Sequence, residues 1–369
     1  MSNCAIIIPA LNPSKSLIDY VKTLLANDIP HVIVVNDGSR QELADIFQEL
    51  NCLDGCTVLH HEVNRGKGRA LKTAFQYVLQ YHHDLDGVIT ADADGQHSIP
   101  DVLNISGKLV NTDKEIILGV RDFSQENVPV RSLIGNRITS FLFQLFYGGK
   151  LEDTQTGLRG VPLKILPQLI HLKGERYEYE INMIIFAKKR NIKLSEISIE
   201  TIYFNNNAES HYSSIIDSIR VFMKLISGLA KYSAATLISG IIDIISFFIL
   251  TSLILRNFPL GIRVFFGTLG ARVLSSSCNF YMNRSLVFTS PNNVKKAMMK
   301  YYILFFALIS ASYLLVLSAN LFLNVNVILA KICIDALLGI LSYQIQLHWV
   351  FKNDSPDIGK QTAGDHHEL

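Results

Sequence analysis

The sequence predicts an α/β domain built on a mostly parallel sheet, followed by an all-α membrane domain of four helices. Three observations predict it. Through the first 210 residues, short apolar runs alternate with stretches of helical spacing. Polar clusters fall just past those runs. The last third is apolar and basic: residues 229–352 hold ten Lys and Arg against two Asp and Glu, leaving 24 basic and 30 acidic residues elsewhere. The 369 residues are 49% hydrophobic, with a mean hydropathy of +0.26. That argues against a purely soluble enzyme and against a disordered chain. The basic residues punctuate apolar runs and form no stripe, so nucleic acid is not an expected partner.

Each element follows from its pattern. Cys4–Ala10 is an isoleucine-rich run, and residues 14–28 then carry helical spacing. His31–Asn36 is a second run, closed by Asp37-Gly38-Ser39, with a polar helical stretch to Leu50. Cys56–His61 is a third, and Asn64–Gly68 turns into a helix from Arg69. Gly87–Ala91 and Glu115–Arg121 complete the set. Continuous apolar strands separated by helices imply a parallel sheet covered on both faces. Ligands of such sheets sit at the carboxyl ends of the strands. Asn12, Asp37, Asn64–Lys67, Asp92–His97 and Arg121 fall there. The dinucleotide fingerprint is absent, because Gly66-x-Gly68 follows the third run and no third glycine completes it. Five scattered cysteines lack the spacing of a zinc site and read as reduced thiols. No signal peptide is read, so the N-terminal domain is expected in the cytosol.

Asp92-Ala93-Asp94-Gly95-Gln96-His97 follows the fourth run directly. Two carboxylates at i and i+2 past a strand can share one divalent cation with substrate phosphates and water. Such a cation neutralises a departing pyrophosphate. Gly66 and Gly68 are expected to let backbone approach a ligand, and Lys67 to add a point charge suited to phosphate.

With Ile8-Pro9-Ala10-Leu11-Asn12, Asn36-Asp37-Gly38-Ser39 and Asn64-x-Gly66-Lys67-Gly68, this motif set resembles family 2 glycosyltransferases of the GT-A fold over residues 4–215. It is most similar to dolichyl- or polyprenyl-phosphate hexose synthases. The resemblance implies that Pro9, Ala10, Asn12, Asp37, Asn64, Gly66, Lys67, Asp92 and Arg121 contact the nucleotide sugar, with Asp37 at the base. It implies Mg²⁺ or Mn²⁺ near Asp92, Asp94 and Gln96. An inverting outcome also follows from the resemblance.

Arg131-Ser132 opens a stretch with Ile134, Ile138, Phe141, Leu142, Leu145 and Phe146 on one helical face. Its aromatic content and basic start suit a helix at a membrane surface. In the resembling family this region receives the lipid phosphate, so Arg131, Ser132 and Arg137 are the expected phosphate contacts. A guanidinium fork matches phosphate bidentately. Asp153 and Gln155, in the polar segment 152–159, are placed on the acceptor or sugar side. Asp94, Asp153 and Arg131 are the expected catalytic residues. No extra general base is needed, since a phosphate monoester with a second pKa of about 6 arrives ionised. The only tryptophan, Trp349, sits in an apolar run, and no Gln-x-x-Arg-Trp motif marks a polysaccharide polymerase.

Domain boundaries are read at 1–212, 213–228, 229–352 and 353–369. Residues 213–228 form an amphipathic stretch suited to the headgroup layer. Spans are read near 232–255, 264–283, 301–323 and 327–350, each about 20 residues. Charge placement puts both termini in the cytosol, with 353–369 a polar tail. Phe280-x-x-Asn283-x-x-x-Val287-Phe288 aligns with Tyr343-x-x-Gln346-x-x-x-Val350-Phe351 at an offset of 63. This resembles the GtrA-type four-helix domain. Arg272 is expected to pair with Asp335, Asp243 or both.

The reading therefore expects a plasma-membrane enzyme that moves a hexose from a nucleotide sugar to polyprenyl phosphate. Its alternatives are a flippase with an accessory GT-A domain and a scaffold with an inactive one. The sugar, the polyprenol and a homo-oligomeric state are left open.

Overall fold

The computed structural model describes residues 3–27, 29–110, 112–123, 130–200, 216–288, 290 and 292–351. The side chains of residues 130–132, 216–218 and 220 also lie outside the description. So does the expected tail at 353–369.

Seven strands among the described residues form one sheet in the order β3-β2-β1-β4-β6-β5-β7. They are β1 (Cys4–Ala10), β2 (His31–Asp37), β3 (Cys56–His61), β4 (Gly87–Thr90), β5 (Glu115–Arg121), β6 (Arg159–Pro162) and β7 (Lys193–Ile199). The first four run parallel, with Ala5 opposite His31 and Val32 opposite Cys56. β6 is antiparallel to both β4 and β5, and β5 pairs parallel with β7. This is the mostly parallel GT-A arrangement.

The five apolar runs became β1–β5 almost residue for residue. β6 and β7 escaped the sequence reading for physical reasons. β6 has four residues and ends in proline. β7 lies at the sheet's edge and alternates exposed with buried positions, so it lacks the continuous apolar signature of a central strand.

Alternation along β1 feeds two cores. Ala5 and Ile7 face one side, where they join Ala70, Leu71, Phe75 and Val78 of α3 (Lys67–Tyr81). Ile181 and Ile184 of α7 (Glu178–Lys189) complete that layer. Cys4, Ile6 and Ile8 face the other side. There they meet α1 (Ser16–Ala26), α2 (Ala44–Asn51) and α4 (Ile99–Leu109). Ser98 caps α4 by accepting from the Asp101 amide, with Pro100 in the first turn.

Helix α5 (Val130–Tyr147) divides the expected apolar face in two. Ile134, Ile138 and Phe141 are exposed, Leu142 and Leu145 are half-buried, and Phe146 is buried together with Phe143 from outside that face. The polar side explains the split. Asn136 donates to the Glu152 carbonyl at 2.6 Å and accepts from the Thr154 amide at 3.1 Å. Thr139 meets the Thr154 hydroxyl at 2.9 Å. These bonds pin α5 to the 152–154 segment and turn its first apolar stripe outward. The short α6 (Leu166–Ile170) precedes α7.

The chain divides into two units, Met1–Leu225 and Ile226–Leu369. The expected amphipathic segment is not a separate element. From Ile216 it is continuous with the first expected span as α8 (Ile216–Ile249). Within the first unit, Val221 and Leu225 of that helix are buried in the core shared with α3 and α5. The Tyr147 hydroxyl donates to the Leu225 carbonyl at 3.4 Å.

The second unit is helical: the rest of α8, then α9 (Leu260–Met282), α10 (Val294–Leu323) and α11 (Val327–Ile345). Among the described residues, Val221–Ile254, Val294–Leu323 and Val327–Val350 are long and apolar enough to cross a membrane. α9 is long enough but less apolar, because it carries Arg263, Arg272 and three consecutive serines. Asn283 and Gln346, equivalent under the 63-residue offset, each open a π-helical turn. Their side-chain amides meet at 3.2 Å in the interior. Arg272 lies 3.7 Å from Asp243. Asp335 pairs instead with Lys331 one turn away, at 3.0 Å. Of the two expected partners of Arg272, Asp243 is the one it meets, whereas Lys331 takes Asp335 on its own helix.

Burial pushes the Cys56 thiol up to about 11. Its folded-state proton is held above the ordinary thiol value of about 8.5, so ionisation begins to cost stability only above that pH. At pH 7.5 a maleimide should label exposed Cys52 and spare Cys56 until the protein is unfolded, as read by peptide mass spectrometry.

Candidate active site

The carboxyl ends of β1–β4 share one edge because the four strands are parallel. Asn12 follows β1 with φ +46°. Its amide donates to Ser39 Oγ at 2.8 Å, and its side-chain oxygen accepts from the Arg40 amide at 2.8 Å. These bonds tie the ends of β1 and β2 together beside Pro9 and Ala10.

Asp37 ends β2 and is buried. Its carboxylate accepts from the amides of Arg65 and Gly66 at 2.9 and 2.7 Å and meets His61 Nδ1 at 2.7 Å. Two of its roughly four acceptor positions are thus committed to the loop after β3 and a third to His61 at the end of that strand. The structure places Asp37 as the anchor of that loop.

Gly66 and Gly68 serve close packing of the chain against itself. A Cβ on Gly66 would stand 2.4 Å from the Glu175 carbonyl, and one on Gly68 2.5 Å from Tyr179 Cβ. Backbone at both glycines is laid against residues 175–179. Asn64 is exposed at the rim.

That packing sets Lys67 at the mouth of α3. Its ammonium lies 2.6 Å from Asp92 Oδ1 and 2.9 Å from Glu180 Oε1. Burial opposes the charge on Lys67, yet Asp92 and Glu180 raise its pKa above the ordinary lysine value. Burial likewise opposes the charge on Asp92, yet Lys67 and His97 hold its carboxyl well below the usual carboxylate range. Gly157 lies against the other side of Asp92: a Cβ there would be 2.3 Å from Asp92 Oδ2. Gly157 is held in turn by Thr90, whose hydroxyl donates to its carbonyl at 2.7 Å.

Asp94 is half-buried and forms no ion pair among the described residues. Its Oδ1 accepts from the Gln96 amide at 3.1 Å. Burial, and then the neighbouring Asp92 charge, push its carboxyl up. His97 Nε2 stands 3.5 Å from Asp92 Oδ2 in a buried position.

Among the described residues no group of three or more His, Cys, Asp and Glu side chains encloses a metal. The donor set nevertheless fits a hard divalent cation of the kind held by one or two carboxylates and completed by substrate phosphates. Asp94 offers a carboxylate with no ion pair among the described residues, and Asp92 offers one shared with a lysine.

Arg121 and Asp153 form a bidentate pair, Nε to Oδ2 at 2.7 Å and Nη2 to Oδ1 at 3.2 Å. Asp153 is fully buried, and its Oδ1 also accepts from the Gln155 amide at 2.9 Å. Asp153 therefore orients Arg121 and the 153–155 turn. The Arg121 guanidinium borders a cavity of about 730 Å³ lined also by Phe123, Arg137, Phe141, Lys150 and Glu196 among others. Arg137 is exposed on α5, beside the outward stripe of Ile134, Ile138 and Phe141. Arg131 and Ser132 belong to the first turn of that helix, with side chains outside the description.

Sequence reasoning missed Glu180, and it gave Arg159 and His97 no role of their own. Arg159 is fully buried, donating to the Thr156 carbonyl at 2.9 Å and the Glu180 carbonyl at 2.5 Å. It stands two residues past Gly157, in the segment already marked as polar. Glu180 lies in Arg176–Asn182, whose charged and aromatic residues carry no motif, so nothing in the sequence pointed to it.

Residues 5–169 match glycosyl transferase family 2, and residues 231–351 match the GtrA/DPMS transmembrane domain. An uncharacterized protein of Methanocaldococcus jannaschii is 32% identical over 225 residues, covering 60% of this chain and 90% of that protein. A UDP-N-acetylglucosamine–dolichyl-phosphate N-acetylglucosaminyltransferase of Methanococcus voltae is 29% identical over 240 residues, covering 60% and 94%. A dolichyl-phosphate beta-glucosyltransferase of Dictyostelium discoideum is 25% identical over 262 residues, covering 62% and 76%. The chain belongs to glycosyl transferase family 2 and joins that domain to a GtrA/DPMS transmembrane domain. It is a membrane glycosyltransferase.

Two substitutions test this geometry. Gly157→Ala forces Asp92 aside, and a displacement of about 1 Å there should lower glycosyl transfer by about 100-fold with little change in thermal midpoint. Asp37→Ala orphans two loop amides and His61, so it should destabilise the protein by about 3–5 kcal/mol, read by thermal unfolding in detergent.

Proposed function

We propose that the enzyme transfers a hexose from a nucleoside-diphosphate sugar to polyprenyl phosphate, releasing the nucleoside diphosphate. The observation that carries this reading is the meeting of two features in one unit. The Lys67–Asp92–Asp94 cluster lies at the carboxyl edge of the sheet. The cavity bordered by Arg121 and Arg137 runs beside an outward apolar stripe. An anionic head and an apolar tail on one acceptor fit that second feature. Two relatives carry dolichyl phosphate in their names.

In the proposed mechanism Lys67 and the amide-rich turn at Asp94–Gln96 orient the donor diphosphate. Arg137, with Arg131 and Ser132 at the start of the same helix, receives the acceptor phosphate. Arg121, held by Asp153, faces the cavity between these groups and restrains the approaching anions. An ionised phosphate oxygen attacks the anomeric carbon as the bond to the diphosphate breaks, giving inversion. No side chain has to remove a proton, so positioning and charge neutralisation do the work. Asp94 and Asp92, with Gln96 beside them, would hold Mg²⁺ or Mn²⁺, which when bound would supply neutralisation of the leaving diphosphate. The catalytic domain and both chain termini are proposed to be cytosolic, by the placement of basic residues, and the product to serve cell-envelope glycan modification. The GlcNAc and glucose named for the two relatives leave the hexose to experiment.

A test uses full-length protein, Mn²⁺, undecaprenyl phosphate and a panel of labelled nucleotide sugars. Label should enter the organic phase from one donor. Asp94→Ala should abolish transfer while membrane insertion persists; undiminished transfer refutes the assignment. Arg137→Glu should raise the acceptor KM by about tenfold and leave the donor KM unchanged. Movement of a supplied lipid-linked sugar across vesicles without synthesis would instead favour a flippase. Its candidate passage is the roughly 290 Å³ cavity lined by Tyr232, Asp243, Arg272, Asn279 and Gln346 among others.

A further inference from the structure

Glu180 has no role in the mechanism above, yet it stands inside the charge cluster that the donor must enter. It comes from the first turn of α7, and that turn is held in place by the packing of Gly66 and Gly68 against residues 175–179. Its side chain is 10% exposed and that of Lys67 14% exposed. At 2.9 Å it is the second carboxylate on an ammonium that Asp92 holds at 2.6 Å.

Sharing has a consequence for Asp92. Taking a buried carboxylate away from its cation leaves an uncompensated charge, which is strongly unfavourable. With Asp92 as its only partner, Lys67 would be stranded whenever Asp92 turned to a divalent cation. With Glu180 present, the ammonium keeps a carboxylate throughout. The charge balance points the same way. Asp92 and Glu180 share the single charge of Lys67, and Asp94 adds a further carboxylate two residues past Asp92, so carboxylates outnumber the ammonium they surround.

We propose that Glu180 is a positioning residue of the donor site. It shares Lys67 with Asp92, which frees Asp92 to join a divalent cation while Lys67 stays placed for the diphosphate. This inference rests on the donor-site reading above.

The test measures cation and nucleotide separately on full-length protein in detergent, without acceptor. Mn²⁺ affinity is read from the electron paramagnetic resonance signal of free Mn²⁺ in the presence of UDP. UDP binding without metal is read by calorimetry. Glu180→Gln should weaken Mn²⁺ binding by about tenfold, while metal-free UDP binding is kept or strengthened because one negative charge is gone. The double variant Lys67→Met/Glu180→Gln should recover Mn²⁺ affinity to within about threefold of the parent, since Asp92 no longer has an ammonium to strand. Three results overturn the proposal: unchanged Mn²⁺ affinity in Glu180→Gln, parallel loss of Mn²⁺ and UDP binding, or no recovery in the double variant. If the parent protein itself binds no Mn²⁺, the donor-site reading falls, and Glu180 loses its role with it.

Discussion

The donor edge of this enzyme depends on one buried ammonium. Lys67 reaches its place because two glycines let the start of α3 press against residues 175–179. There it compensates carboxylates from two different elements, the turn after β4 and the first turn of α7. Separating those elements would leave a buried ionic group without its partner, a loss worth several kcal/mol. The same contact therefore organises the fold locally and sets the charge that a substrate meets. Asp92 is the negative group stabilised by that contact, whereas burial and repulsion leave Asp94 holding its proton more tightly. Two aspartates two residues apart thus have unlike chemistry, and the difference arises from a lysine 25 positions upstream.

Much of this was legible in the sequence, and the reasons are physical. Central parallel strands are buried on both faces, so β1–β5 announce themselves as apolar runs. Parallel order then forces the polar clusters after those runs onto a common edge, which is why Asp37, Lys67 and Asp92 group together on the chain pattern alone. What stayed hidden was how they are partnered. Hydrogen bonds from Arg65 and Gly66 to Asp37 depend on a loop path that no local pattern encodes. Arg159 and Glu180 are charged residues kept inside by contacts over 21 to 113 positions of chain. Burial of that kind leaves no periodic trace. The strands that escaped notice were the short antiparallel one and the edge one, where the burial signal is weakest.

Helix α5 shows the same limit from the other side. Spacing alone joined six apolar residues into one face, and packing divided them. Asn136 and Thr139 grip the 152–154 segment, so Phe146 turns inward beside Phe143 while Ile134, Ile138 and Phe141 turn out. Phe141, together with Leu133, then borders a cavity that also displays Arg137. A surface offering apolar side chains beside guanidinium groups suits a molecule that is itself amphipathic.

In the helical second unit, the amides of Asn283 and Gln346 touch across the interior, each at the head of a widened turn. In hydrocarbon an orphaned amide has no water to satisfy it. Inserting one residue in either half would swing its amide away by about 100°. The pair therefore acts as a length gauge: α9 and α11 are free to drift in composition, but neither can change its residue count ahead of its widened turn without breaking the match.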